Sequence, residues 1–213
     1  MLRVVPSHKG FSTMPRHAPN TENRTVAIRK PNRDLRTREY LMPGEVRKLM
    51  TAARKNRHGH RDATMILVTY RHGQRATEVC QLRWDQYDLK RGSLHVNRIK
   101  NGVESVHPVG GEELRALRKL LREEPESRYV FVSERGAPLS QEGFLKMVKR
   151  AGVTAKLPFG VHPHMLRHAC GYKLANDGHD TRAIQLYMGH KNIQNTVGYT
   201  QLSAHRFKNF WGD

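Results

Sequence analysis

The chain has 213 residues, a length that allows one generous domain or one domain with a tail. Lys and Arg number 38 against 19 Asp and Glu, so the formal net charge is +19, far more than solubility requires. Such a charge favours a polyanionic partner, above all nucleic acid, because each neutralised phosphate releases counterions. A ribosome-associated or membrane-surface protein is the alternative. The sequence contains no apolar run of the roughly 18 residues that a transmembrane helix needs, and its first ten residues show no apolar signal region.

Residues 1–36 form a basic segment with several prolines and no sustained hydrophobic periodicity. Such a composition cannot bury enough apolar surface to offset its ordering entropy, so we predict a flexible tail. Residues 37–213 are predicted to form a single domain with one hydrophobic core. Cys80 and Cys170 fall in apolar helical contexts and are predicted to be core residues of a reduced, intracellular compartment.

Most of the domain shows helical spacing of its apolar residues. Pro43 suits the first position of a helix, and the apolar segment His60–His72 predicts a buried helix that Gly73 ends. Ser140 is predicted to cap a further helix. The other predicted helices are Glu112–Glu124, Pro163–Asn176, Thr181–Met188, Asn195–Thr200 and Ala204–Trp211.

Between these helices the hydrophobic period switches to two. Leu94, Val96 and Arg98 alternate with polar residues, and Asn101-Gly102 is typical of a two-residue hairpin turn. Residues Val103–Val109 would return as the second strand. The predicted fold class is therefore mainly α with a small antiparallel β-sheet (α+β).

Two upstream groups could carry chemistry. Arg75 and Glu78 would share one helix face, and by themselves they are better interpreted as a surface ion pair of little energetic consequence. Lys100, beside the hairpin turn, is by itself an ordinary solvated lysine. Its functional interpretation is a mobile ammonium that donates a proton to a leaving oxygen.

Two downstream groups add imidazoles and a hydroxyl. The segment HPHMLRHACG contains His162, His164, Arg167 and His168, but it lacks the glutamate of H-E-x-x-H and a cysteine ligand pair, so we expect no metal. The segment MGHKNIQNTVGYT contains His190 and Tyr199; a lone tyrosine on a helix is usually a core residue. Together a hydroxyl, imidazoles and a guanidinium suit attack on a phosphodiester without a metal.

In this order the groups resemble the signature of the tyrosine recombinases, the phage integrase family. The matching positions are Arg75, Lys100, His164, Arg167, His190 and Tyr199. The resemblance covers about residues 40–213, the family's catalytic domain. The segments HPHMLRHACGYKLAND, DTRAIQ, MGHKNI and TVGYT look closest to the short bacterial recombinases that invert the fimbrial phase-variation switch. The chain departs from the family at Gly73-Gln74-Arg75, where Leu or Phe is usual before the arginine, and we expect the polar side chain to loosen the site.

The resemblance implies that the Tyr199 hydroxyl attacks the scissile phosphate, giving a 3′-phosphotyrosyl bond and a free 5′-hydroxyl. The covalent bond keeps the energy of the broken phosphodiester, so no cofactor is expected. Arg75 and Arg167 would each offer a fork of donors to the phosphate oxygens. His190 would donate a further hydrogen bond to these oxygens, and His164 would help to accept the tyrosine proton. Lys100 would protonate the leaving oxygen, and Glu78 would orient Arg75. His162 and His168 receive no role in the chemistry.

The implied partners are double-stranded DNA and three further copies of the chain, since recombination of two duplexes needs four protomers. Exchange of the C-terminal helix between neighbours would use the aromatics Phe207, Phe210 and Trp211, which could equally pack on their own domain. The expected location is cytoplasmic, at the nucleoid. Inversion, integration and excision stay open, as do two other functions: a DNA-binding accessory protein with little or no catalytic activity and a type IB topoisomerase-like relaxing enzyme.

Overall fold

A computed structural model describes residues 38–98, 102–123 and 126–201. Its helices in these ranges are α1 (Pro43–Ala53), α2 (Gly59–His72), α3 (Ala76–Cys80), α4 (Gly111–Glu123), α5 (Gln141–Thr154), α6 (Pro163–Asn176), α7 (Thr181–Met188) and α8 (Gln194–Gln201). The strands are β1 (Tyr87–Asp88), β2 (Ser93–Val96) and β3 (Ser105–Pro108), preceded by a 3-10 turn at Trp84–Gln86. The predicted fold class, mainly α with a small antiparallel sheet, is confirmed.

The three strands form one antiparallel sheet in the order β1-β2-β3. Leu94 and Val96 are buried while His95 between them is exposed, as the period of two predicts. The returning strand, Ser105–Pro108, is shorter than predicted. Asn101, in the predicted turn, lies outside the described residues. The inward face of the sheet packs against the helices, so the hairpin is attached to the body of the domain.

The helix ends follow local sequence rules. Pro43 occupies the first position of α1, and the Ser140 hydroxyl accepts a hydrogen bond of 3.0 Å from the backbone N–H of Gly143, which confirms the predicted cap of α5. Gly73 and Gly189 end α2 and α7 with φ of 56° and 64°, in the left-handed region that favours glycine. Each of these turns leads directly into a segment that carries a predicted site residue.

The main core surrounds α2, which packs against α1, α4 and α6. Cys80 and Cys170 are both buried and unpaired, as predicted. A second, smaller apolar cluster consists of Cys170, Ala175, Ile184, Met188 and Tyr199. The expectation of a single core is therefore wrong, because α6, α7 and α8 close over a core of their own that contains the predicted nucleophile.

Several predictions concern parts of the chain outside the described residues: the tail 1–36, Lys100 and the helix Ala204–Trp211. Along the part of the chain that the structure describes, no helix is both long enough and apolar enough to cross a membrane.

Candidate active site

Arg75 stands at the N-terminal cap of α3, directly after the left-handed turn at Gly73. Its backbone N–H donates to Glu78 Oε2 at 2.9 Å and its Nη1 donates to Glu78 Oε1 at 2.7 Å. The Glu78 side chain is 1% exposed, whereas that of Arg75 is 31% exposed. The interpretation of this pair as a surface ion pair is therefore wrong. The carboxylate is buried and fixes a guanidinium that solvent, or a ligand, can still reach.

The second partner of Glu78 is Arg98, whose Nη1 donates to Oε2 at 3.0 Å from a fully buried position. Burial by itself would raise the pKa of Glu78. The hydrogen bonds from Arg75 and the positive charges of Arg98 and Arg75 outweigh burial and hold the pKa below its ordinary value. Glu78 is therefore ionised at neutral pH and is shared by two arginines.

Arg167 approaches the same place from α6 and is buried. Its Nη1 donates to the carbonyl of Gly73, and its Nη2 donates to the carbonyl of Met188 at 2.7 Å. Burial, followed by the nearby positive charges of Arg98 and Arg75, lowers the pKa of Arg167 to about 10. The guanidinium is still charged at neutral pH and joins the turn before α3 to the end of α7.

Three guanidiniums and one carboxylate therefore meet where α3, α6 and the segment after β2 come together, which leaves an excess of two positive charges. After burial, the charge of Arg75 contributes to the lowered pKa of Arg98, and the charges of Arg98 and Arg75 contribute to the lowered pKa of Arg167. Of the three, Arg98 and Arg167 are buried and Arg75 is partly exposed. The arrangement is suited to an anion with several oxygens, which would relieve the mutual repulsion.

Tyr199 lies on α8 and is 5% exposed. Its ring packs on Gly171 of α6 so closely that a Cβ added there would lie 2.5 Å from the tyrosine Cε2. The ring of Tyr172 meets it edge to face at a centroid distance of 5.1 Å. Burial raises the pKa of Tyr199 to about 12, so its hydroxyl is protonated at neutral pH.

The residue that meets this hydroxyl is His168, whose Nδ1 lies 2.9 Å from Tyr199 Oη. Burial, followed by the charges of His164 and Arg167, lowers the pKa of His168 to about 4, so its imidazole is neutral at neutral pH. His164 is exposed, and its ring centroid is 4.4 Å from that of His168. Sequence reasoning gave His168 no role, because a motif match alone does not show which imidazole the folded chain turns toward the tyrosine.

His190 follows the left-handed turn at Gly189 and is 8% exposed. Its Nδ1 lies 2.9 Å from the Thr196 hydroxyl, and its ring is stacked near Tyr199 with the centroids 6.1 Å apart. Burial, followed by the charges of nearby arginines, lowers the pKa of His190 to about 4. A neutral imidazole held in this way has one ring nitrogen engaged and the other available to a ligand.

The structure thus brings five of the six predicted site residues into one region: Arg75, His164, Arg167, His190 and Tyr199. Lys100 lies outside the described residues. Two further residues of this region, His168 and Arg98, received no role from the sequence, although the period of two had grouped Arg98 with Leu94 and Val96. Within the described ranges, no group of three or more His, Cys, Asp or Glu side chains has an arrangement that could hold a metal ion.

Gln74 departs from the usual family pattern, and the structure buries its side chain at 2% exposure. Its Oε1 has no hydrogen-bond partner among the described residues. A buried carbonyl oxygen without a donor costs roughly 1–3 kcal/mol. Glutamine at this position, directly before Arg75, therefore lowers the free energy of unfolding relative to an apolar residue of similar size.

Comparison with known proteins adds independent information. The model of the phage integrase family matches residues 39–206. The type 1 fimbriae regulatory protein FimB of Escherichia coli (strain K12) is 40% identical over 187 residues, covering 85% of this chain and 94% of FimB. The tyrosine recombinase XerD of Staphylococcus aureus (strain Mu50 / ATCC 700699) is 28% identical over 218 residues, covering 99% of this chain and 73% of XerD.

Among solved structures, the crystal structure of XerA recombinase superimposes with a TM-score of 0.70 at 26% sequence identity. The match covers 81% of this chain and 63% of the XerA chain, so the present chain spans less than two thirds of that protein.

Proposed function

We propose that Tyr199 is the nucleophile of this chain, which belongs to the phage integrase family and is a site-specific tyrosine recombinase. The resemblance predicted from the sequence is confirmed by the family match and by the similarity to FimB. The proposal depends on one observation: Tyr199 Oη lies 2.9 Å from Nδ1 of His168, whose imidazole is neutral. His168 lies on α6, the helix that also carries Arg167. This contact supports the assignment of Tyr199 as nucleophile, of an imidazole as proton acceptor and of the arginines as donors to an oxyanion.

In the proposed reaction the Tyr199 oxygen attacks the scissile phosphorus and forms a phosphotyrosyl bond to the 3′ side of the DNA strand. The bond from phosphorus to the 5′ oxygen breaks, and Lys100 gives this oxygen the proton that makes it a hydroxyl. Arg75 and Arg167 donate to the non-bridging oxygens, where negative charge accumulates. Attack by another strand's 5′-hydroxyl reverses these steps, so rejoining needs no cofactor.

The proton of Tyr199 has to leave during the attack, because its pKa is about 12. His168 is in hydrogen-bond contact with the hydroxyl, and His164 adjoins His168, so we assign the proton transfer to this pair. A pKa of about 4 makes His168 a weak base in the free protein. A bound phosphate would raise that pKa, since its negative charge offsets the positive charges that lower it. His190 contributes a further hydrogen bond to the phosphate.

The substrate in this proposal is double-stranded DNA, which the net charge of +19 attracts. Four copies of the chain act together on two duplexes, with exchange of the C-terminal segment that contains Phe207, Phe210 and Trp211 as the contact between neighbours. The protein would act in the cytoplasm, at the nucleoid. Inversion, integration or excision then follows from the arrangement of the target sites.

The test traps the covalent protein–DNA adduct on a nicked duplex. After cleavage this duplex loses the strand end that carries the 5′-hydroxyl, so rejoining cannot occur and the adduct accumulates. We expect an adduct with the wild-type chain and none with Tyr199→Phe, while the affinity for DNA changes by less than about threefold, since only a buried hydroxyl is lost. An adduct formed by the phenylalanine variant would refute the assignment. Absence of an adduct with the wild-type chain would indicate an accessory DNA-binding protein, and relaxation of supercoils without site preference would indicate a topoisomerase-like enzyme.

A further inference from the structure

Thr196 lies on α8 with 0% exposure, and its hydroxyl bonds differently from those of three other helical threonines. In Thr64, Thr69 and Thr200 the hydroxyl donates back to a carbonyl of the same helix, at 2.8, 2.7 and 3.1 Å. Thr196 makes no such bond among the described residues. Its hydroxyl instead meets Nδ1 of His190 at 2.9 Å.

The direction of this hydrogen bond follows from what each group can donate. A threonine hydroxyl has one proton, whereas a neutral imidazole has one N–H and one bare nitrogen. If His190 donated from Nδ1, the proton of the buried Thr196 hydroxyl would have no acceptor among the described residues, and an unsatisfied buried donor is costly. If Thr196 donates, both groups are satisfied. The hydroxyl is therefore the donor and Nδ1 the acceptor.

A neutral ring that accepts at Nδ1 carries its single proton on Nε2. Burial, followed by the charges of nearby arginines, lowers the pKa of His190 to about 4, so the ring is neutral at neutral pH. Nδ1 is the ring nitrogen that has a partner among the described residues. The N–H at Nε2 is thereby available to a ligand.

The backbone of the same residue is fixed from α7. The buried Gln185 side chain donates from Nε2 to the carbonyls of His190 at 2.9 Å and Lys191 at 3.2 Å. The backbone N–H of His190 donates to the Gln185 carbonyl at 3.0 Å. Because α7 fixes the main chain and Thr196 holds the ring, the imidazole has a defined direction. Thr196 and Tyr199 are three residues apart on α8, so one helix carries both the proposed nucleophile and the group that holds the ring.

We infer that Thr196 is a positioning residue of the strand-cleavage reaction, in which it holds the His190 imidazole with its Nε2–H offered to the phosphate oxygens. The inference rests on the proposed function, in which His190 donates a hydrogen bond to those oxygens. A neutral imidazole has a donor at one nitrogen and a lone pair at the other. The position of the ring proton therefore decides whether His190 stabilises the negative charge on the phosphate or opposes it.

The first measurement locates the ring proton in the free, isotope-labelled full chain at neutral pH. Two-bond proton–nitrogen NMR correlations distinguish a protonated ring nitrogen from a bare one, and the signals that disappear in His190→Gln belong to His190. We expect a protonated Nε2 and a bare Nδ1. The Nδ1 signal should shift in Thr196→Val, which loses the donor, and keep its position in Thr196→Ser. A proton on Nδ1 in the wild-type chain, or an unshifted Nδ1 signal in Thr196→Val, would overturn the inference.

The second measurement is the single-turnover rate constant for adduct formation on the nicked duplex at saturating DNA. Thr196→Val keeps the size of the side chain and should lower this rate constant by about 10-fold, the loss expected from one hydrogen bond. Thr196→Ser, which keeps the hydroxyl, should stay within about threefold of the wild-type value. In the His190→Gln background, Thr196→Val should change the rate constant by less than about twofold, because both changes remove the same contribution.

The matched control is Thr64→Val, which removes a buried threonine hydroxyl that bonds within α2. It should alter neither the His190 signals nor the rate constant. Three kinetic results would contradict the inference: cleavage by Thr196→Val at the wild-type rate, equal slowing of Thr196→Val and Thr196→Ser, or a full Thr196→Val defect in the His190→Gln background. Absence of an adduct with the wild-type chain would refute the proposed function, whereas the NMR measurement needs no DNA and tests the contact between Thr196 and His190 by itself.

Discussion

Gly171 is a residue on which the position of the Tyr199 ring directly depends. In Gly171→Ala the new Cβ would lie 2.5, 2.6 and 2.8 Å from three carbons of the Tyr199 ring. Carbon atoms in contact prefer about 3.5–4.0 Å, so the ring has to move by about 1 Å. The hydrogen bond of 2.9 Å between His168 and the Tyr199 hydroxyl does not tolerate a displacement of that size.

The expected consequence is a loss of cleavage without a loss of DNA binding. A misplacement of about 1 Å at a reacting group costs on the order of 100-fold in rate, so adduct formation on the nicked duplex should slow by about that factor. Affinity for the same duplex should stay within about threefold. Overpacking costs about 1–3 kcal/mol, while replacing glycine in a helix gains about 1 kcal/mol. The free energy of unfolding should therefore fall by no more than about 2 kcal/mol.

Gly198→Ala is the matched control, because Gly198 precedes Tyr199 on α8 and a Cβ there meets no atom within 4 Å. The same chemical change should leave cleavage unaltered and raise the free energy of unfolding by up to about 1 kcal/mol through helix propensity. The reasoning would be refuted if Gly171→Ala cleaved at the wild-type rate, or if both alanine variants lost cleavage to the same extent.

Two further predictions concern stability. Gln74→Met should raise the free energy of unfolding by about 1–2 kcal/mol, since it removes a buried carbonyl oxygen that has no donor among the described residues; an unchanged or lower value in denaturant titrations would contradict this. Burial lowers the pKa of His107 from its ordinary value of 6.5 to about 3. Between these pH values the imidazole is protonated in the unfolded chain but not in the folded chain. The free energy of unfolding therefore decreases as the pH falls from about 6.5 toward 3. Titration of His107 alone should cost about 2 kcal/mol at pH 5, and His107→Gln should lose correspondingly less stability between pH 7.5 and pH 5 in urea unfolding experiments.

The amino-acid sequence by itself determined the features that depend on neighbours along the chain. The alternation of Leu94 and Val96 gave the inward face of β2, and Ser140 gave the start of α5, because both depend only on backbone geometry over a few residues. The order and spacing of the motif residues, ending in Tyr199, were sufficient to indicate the family. The chemistry needs those residue types, whatever contacts they make in the folded chain.

Only the tertiary structure decided which side chains share a partner. Glu78 looked like half of a surface ion pair, yet it is buried and also pairs with Arg98, which lies 20 residues away in the segment after β2. His168 became the residue at the Tyr199 hydroxyl because α6 and α8 pack together, although 31 residues separate the two side chains. Periodicity reports which face of an element is buried, but it contains no information about what another element will place against that face. The charge balance around Glu78 and the hydrogen-bond partner of the Tyr199 hydroxyl both depend on which elements pack together.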